Sequence, residues 1–225
     1  MTTHTIELTA GYTDGDNATH SSVTFGKRLK GKDLFDMSDS PESNSKTQAA
    51  LMMLAGSITK FGSLTLPVPL SVLMSLSRAD RRKLSKGYES FLNTSSNAHK
   101  SKSLSDDAIK LGFGLTLGQI VYDQVRFGRM LNGYDELQSD DLDGWEQTCF
   151  LIGKEIVELS QSDGKHKIAG PISLEVFETA DSRDIFALKE QEDKWLDSFR
   201  GEREEAEAET QNSLGADESS RNVGG

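Results

Sequence analysis

The chain has 225 residues, with 36 acidic and 25 basic side chains and a formal net charge of -11. An acidic chain repels phosphate backbones, so we expect no nucleic-acid partner. No apolar run approaches the ~20 residues that cross a bilayer, and the N-terminus lacks the regions of a signal peptide, so we expect no membrane partner and a cytoplasmic location. A single cysteine excludes an internal disulfide framework.

A short motif occurs twice in the chain. The segment Val23-Thr-Phe-Gly-Lys-Arg-Leu-Lys-Gly-Lys-Asp33 returns, 102 positions later, as Val125-Arg-Phe-Gly-Arg-Met-Leu-Asn-Gly-Tyr-Asp135. The same shift places Pro69-Leu-Ser-Val72 on Pro171-Ile-Ser-Leu174 and Arg81 on Arg183. Common residues could coincide by chance, but separated blocks at one offset favour a tandem duplication.

The first unit reads as two strands followed by helices. Alternating residues at 4–10 and 21–27, around the turn signal Asp14-Gly15, predict a β-hairpin. The apolar spacing from Lys46 to Phe61 predicts one helix. A short helix over 70–76 is predicted to begin at Pro69, and a further helix follows from Ser77 to Leu92.

The second unit repeats this order. Alternation over 109–117 and a return over 120–129 predict a second hairpin. Asp140 to Asp143 can begin a helix that runs to about Leu159. Two more helices are predicted over 171–177 and 179–199, and the acidic segment 201–225 holds too few large apolar residues to order itself.

We therefore predict an α+β fold with pseudo-twofold symmetry, in which each unit is a β-hairpin followed by about three helices. The hairpins are expected to share one sheet or to pack face to face, because a lone hairpin is marginal. The predicted organisation is a first unit at 1–92, a linker at 93–108, a second unit at 109–200 and a disordered tail at 201–225. Phe25 and Phe127 are expected to be buried against the helices.

No catalytic constellation stands out in the sequence, and we expect no enzyme, cofactor or metal site. A Cys149–His166 nucleophile pair has no local support, and Cys149 reads as a buried thiol. The glycines of 112–118 have the wrong spacing for a dinucleotide loop. The acidic group Asp140, Asp141 and Asp143 lacks a full calcium-loop pattern and suits a helix N-terminus.

Three methionines are the candidate partner-binding residues: Met52, Met53 and Met74. Methionine adapts to irregular apolar partners, and a partner helix lying in a groove would suit such a surface. The alternative is that all three belong to the core.

The first unit resembles the tail assembly chaperones of Mu-like, contractile-tailed bacteriophages. The residues that carry the resemblance lie within 4–92: the segment Val23 to Leu34, the helix Ala49-Ala-Leu-Met-Met-Leu-Ala55, and the proline-led segment Leu66 to Asp80. Family members usually contain one such unit, whereas this chain has two.

The resemblance implies a non-enzymatic protein of the host cytoplasm, with a homo-oligomer as a candidate state. Its expected partner is the tape-measure protein, which such chaperones are thought to bind and keep soluble. The tail tube protein is a further candidate partner, because these chaperones are thought to help recruit tube subunits before they leave the assembled tail. Two alternatives are a structural tail or baseplate component that stays in the virion, and a host-targeting interaction protein.

Overall fold

A computed structural model describes residues 2–40, 45–93 and 100–199. Within these residues the fold is mixed α+β, with two separate sheets and eight helices. The predicted α+β class is confirmed. The predicted disordered tail, 201–225, lies outside the described residues.

The described residues of the N-terminal half contain three strands and four helices. The elements in chain order are β1 (His4–Thr13), β2 (Thr19–Phe25), α1 (Gly31–Ser38), α2 (Lys46–Ser57), β3 (Ile58–Phe61), α3 (Leu70–Ser75) and α4 (Arg78–Asn93). The sheet order is β1-β2-β3, and both pairings are antiparallel.

The C-terminal half contains five strands and four helices among its described residues. The elements are β4 (Lys102–Ser105), β5 (Ala108–Leu117), β6 (Ile120–Phe127), α5 (Gly133–Ser139), α6 (Gly144–Glu155), β7 (Ile156–Ser160), β8 (Lys167–Ala169), α7 (Leu174–Glu178) and α8 (182–199). The sheet order is β4-β5-β6-β7-β8. The hairpins β1-β2 and β5-β6 thus belong to different sheets and do not share one.

Two predicted helices end early and continue as strands. The helix predicted over 46–61 stops at Ser57, because Ile58 turns to an extended backbone with φ -73° and ψ 127°. The helix predicted to reach Leu159 stops at Glu155 in the same way. Each following segment, β3 or β7, pairs with the second strand of its hairpin. This pairing joins residues distant in sequence, and it outweighs the local helical spacing.

The sequence pattern does not predict the helices α1 and α5. Each half therefore has four helices among its described residues, rather than the predicted three or so. Both helices carry a capping box at their start, in which Asp33 or Asp135 accepts from the backbone N–H of the N-cap residue. Their length of 8 and 7 residues is too short for apolar spacing to predict them.

The predicted linker, 93–108, is partly ordered. Its residues 102–105 form the edge strand β4, which pairs with β5. The linker residues 94–99 lie outside the described residues. Strand pairing thus extends the second sheet beyond the hairpin that alternation predicts.

Two apolar cores hold the fold together. The first cluster contains the inward residues of β1-β2-β3 with α2, α3 and α4, including Val23, Phe25 and Phe91. The second contains those of β5-β6-β7 with α6, α7 and α8, including Val125, Phe127 and Trp195. Phe25 stacks against Phe91 and Phe127 against Trp195, so the predicted burial of both phenylalanines against helices is confirmed.

Helix α1 belongs to the N-terminal half in sequence but packs into the second core. Leu34 and Phe35 are only 1% and 4% exposed, and both lie in the cluster built by the C-terminal half. Backbone hydrogen bonds fix the contact: Gly31 N–H donates to Ala180 O, and Ser182 N–H donates to Leu29 O. The two halves are joined through this helix.

Candidate functional site

The structure places the three candidate methionines on two neighbouring helices. Met52 and Met53 lie on α2 and are half-buried, packing at the edges of the apolar cores. Met74 lies on α3 with 48% of its surface exposed. None of the three is fully buried, and Met74 stands apart from the other two in belonging to neither core cluster.

A cavity of 370 Å³ lies where α1 meets α2 and α6. Its walls come from both halves of the chain: Leu34, Met37, Ser38, Ala49, Met53, Gly144, Trp145 and Thr148. At the edge of this cavity, the backbone N–H of Trp145 donates to Ser38 Oγ at 3.2 Å. Met53 therefore faces the junction of the two halves.

A groove of 840 Å³ runs between α2 and α4 on the N-terminal half. Its floor is apolar, because Leu51 and Leu54 are almost fully buried there. Its rim is cationic and consists of Lys46, Arg78, Arg81, Arg82 and Lys86. The groove lies next to Met74, because the Arg81 guanidinium donates to the backbone carbonyl oxygen of Met74 at 2.9 Å. We call this groove the basic groove. We call the exposed surface of Met52, Met53 and Met74 the methionine surface.

Among the described residues, helix α5 and the residues just before it present the most exposed large apolar side chains. Tyr134 is 79% exposed, Leu137 67%, and Met130, just before the helix, 54%. Acidic residues Glu136, Asp140 and Asp141 are also exposed on this segment. The surface is thus apolar and acidic together.

Two buried aspartates hold the bulged strands against helices. Asp80 accepts hydrogen bonds from the backbone N–H groups of Thr9, Ala10 and Gly11. Burial by itself raises the pKa of Asp80, but these hydrogen bonds together outweigh it and bring the pKa below its ordinary value. Asp184 accepts in the same manner from three consecutive N–H groups of β5, those of residues 112–114.

Glu155 is a buried carboxyl group at the end of α6. It is 1% exposed, and its Oε2 has no hydrogen-bond partner among the described residues. Burial, together with the adjacent Glu192 carboxylate, raises the pKa of Glu155 to about 8. The group is therefore mostly protonated at neutral pH.

The remaining residues considered for chemistry hold structural positions. Cys149 is buried in α6, and burial raises the pKa of its thiol to about 12, so little thiolate forms at neutral pH. His166 is exposed in the turn before β8. Asp143 is the N-cap residue of α6 and Asp140 the C-cap residue of α5. The glycines 112 and 114 lie within β5.

Comparison of the chain with protein families, curated proteins and solved structures finds no match. Within residues 2–40, 45–93 and 100–199, no group of three or more histidine, cysteine or acidic side chains has the arrangement of a metal site. Over the same part of the chain, no helix has both the length and the apolar character to span a membrane.

Neither the basic groove nor the exposed face of α5 is predicted by the sequence pattern. The run of basic residues from Arg78 to Lys86 can be seen in the sequence, where such a run on a helix indicates a solvated face. What the sequence did not show is that α2 lies beside this run and supplies an apolar floor. Such a groove exists only when two helices separated by about twenty residues pack together.

Proposed function

We propose that the chain is a phage tail assembly chaperone that binds the tape-measure protein in the host cytoplasm and assists assembly of the tail tube. The role is one of binding rather than catalysis. The proposal combines the resemblance of residues 4–92 to that family with an accessible methionine surface on α2 and α3.

The observation that carries the proposal is the partial exposure of all three methionines. Met74 is 48% exposed, and Met52 and Met53 keep part of their surface accessible at the rim of the cores. Unbranched thioether side chains adjust to the irregular apolar face of a partner helix at little conformational cost. A long helical protein that aggregates alone is the kind of partner such a surface suits.

Co-expression with the tape-measure protein tests the proposal. We expect the wild-type chain to increase the yield of that protein in the cleared lysate and Met74→Glu to reduce the increase. Leu104→Glu is a matched control, because Leu104 is 50% exposed but lies on β4. A tape-measure protein that stays equally aggregated with and without the chain would refute the proposal.

The alternative is a structural tail or baseplate component retained in the particle. Purified particles separate the two functions. A chaperone is absent from finished particles, whereas a structural component is present at a fixed ratio to the tube protein.

We also propose that the two halves are repeats of one ancestral unit. The register of the sheets supports this: Phe25 pairs with Ile58 after a bulge, and Phe127 pairs with Ile156 after a bulge. The hydrogen bonds of the loops after β2 and β6 correspond as well. The backbone N–H groups of residues 26 and 27 donate to Ser57 O, and those of residues 128 and 129 donate to Glu155 O.

The correspondence between the halves does not follow one offset. It is 102 for α1 and α5, 98 for α2 and α6, and 104 for the helices that contain Asp80 and Asp184. Pro69 is the N-cap residue of α3, whereas Pro171 lies three residues before α7, so these two prolines do not correspond. Insertions in loops account for the change of offset.

A further inference from the structure

The contact between the halves is one-sided. Helix α1 fills an acceptor surface on the C-terminal half, whereas its counterpart α5 keeps Tyr134 and Leu137 in solvent. Leu137 stands in α5 where Phe35 stands in α1, yet their exposures are 67% and 4%. A twofold arrangement would give both helices the same surroundings, so the pseudo-twofold expectation does not describe this molecule. Within the part of the chain that the structure describes, α5 therefore has no surface that corresponds to the one α1 covers.

The unfilled acceptor can be located by correspondence. In the C-terminal half, α1 lies against Gly144, Trp145 and Thr148 of α6 and against the start of α8. The corresponding positions on α2 are Lys46, Thr47 and Ala50. All three line the basic groove, together with the start of α4. The basic groove is thus the N-terminal counterpart of the surface that α1 occupies.

We propose that α5 of one chain docks into the basic groove of a second copy, which joins copies head to tail. The inference depends on the correspondence between the halves and not on the proposed chaperone activity. Residues 130–132 would run beside residues 76–78 of the next copy, as residues 28–30 run beside residues 180–182 within the chain. Because donor and acceptor are different surfaces, the contact is heterologous and generates a ring or a filament.

Charge favours this occupant. The groove presents five cations around an apolar floor, and α5 presents Leu137 between the exposed acids Glu136, Asp140 and Asp141. Glu136 replaces Leu34, which lines the junction cavity beside Gly144. In the docked pair, Glu136 therefore approaches Lys46, the counterpart of Gly144. Complementary charge of this kind sets the register of an interface and makes association weaker at high salt.

A glycine at the start of α5 provides the sharpest test. A Cβ on Gly31 would lie 1.9 Å from Phe177 O, so α1 approaches its acceptor too closely for any side chain. Gly133 is the corresponding residue, and a Cβ there meets no atom of the described residues within 4 Å. Gly133→Ala is therefore tolerated by the monomer, where alanine favours the helix, but it would collide with Leu73 O of the second copy.

The experiment is sedimentation velocity of the full chain over a concentration series. Gly15→Ala is the control, because a Cβ at Gly15 also meets no atom of the described residues within 4 Å. We expect this control to self-associate as strongly as wild type. Gly133→Ala should weaken association at least about tenfold, the change that corresponds to 1.4 kcal/mol. Melting temperature and circular dichroism of each variant establish that the monomer fold is retained.

Charge reversal identifies the occupant of the groove. Glu136→Lys and Lys46→Glu should each weaken self-association. Mixing the two variants should restore association, because the unaltered α5 of Lys46→Glu can enter the unaltered basic groove of Glu136→Lys. A monomeric wild-type chain at all concentrations overturns the proposal. The proposal is also overturned if Gly133→Ala leaves the strength of self-association unchanged, or if Lys46→Glu does so. Loss of self-association in Gly133→Ala with tape-measure binding retained separates this interface from the chaperone surface.

Discussion

Truncation of Phe35 tests whether α1 holds the two halves together. Phe35 is 4% exposed in the C-terminal core although it belongs to the N-terminal half. A phenyl ring buries on the order of 150 Å². At about 25 cal/mol per Å² that burial corresponds to about 4 kcal/mol. Phe→Ala in a core costs about 3–5 kcal/mol, so we expect Phe35→Ala to lower the free energy of unfolding by that amount.

The measurement is urea unfolding followed by tryptophan fluorescence. Both tryptophans of the chain, Trp145 and Trp195, lie in the C-terminal half, so the signal reports on the core that α1 enters. Leu137→Ala is the matched control, because Leu137 is the corresponding residue of α5 and is 67% exposed. We expect the control to change stability by at most about 0.5 kcal/mol. Equal losses for both variants, or a loss below about 1 kcal/mol for Phe35→Ala, would show that α1 does not pack as described.

Two further predictions concern the cores and pH. Phe25→Ala and Phe127→Ala should each cost about 3–5 kcal/mol in the same assay, because both rings are fully buried, and a loss under about 1 kcal/mol at both sites contradicts this. Glu155 has a folded pKa of about 8, above the unfolded value of about 4.3, so the free energy of unfolding should fall as pH rises between these values. Glu155→Gln should flatten that decline, whereas the control Glu89→Gln, at an exposed position, should leave it unchanged. If wild type and both variants gave parallel plots of unfolding free energy against pH, Glu155 would not be a buried protonated group.

The sequence determined those parts of the fold that depend on neighbours along the chain. Alternating apolar residues on either side of Asp14-Gly15 placed the first hairpin, and the turn there is closed by Asp14 N–H donating to Ala18 O. The helix predicted from Ser77 to Leu92 is present as α4, and its buried face contains Leu84, Tyr88 and Phe91. The burial of Phe25 and Phe127 could be predicted because each occupies the apolar face of an alternating strand.

The tertiary structure decided what depends on distant pairing. Ile58 to Phe61 continues an apolar run that suits a helix, but the unpaired edge of β2 makes an extended backbone more favourable. The apolar residues of α1 are buried and those of α5 are exposed, and this difference also depends on contacts between residues distant in sequence. Both helices share a capping box and a glycine start, and nothing local tells Phe35 from Leu137. Only the C-terminal core offers a surface for Phe35 to cover, whereas Leu137 meets solvent because no described part of its own chain lies opposite it.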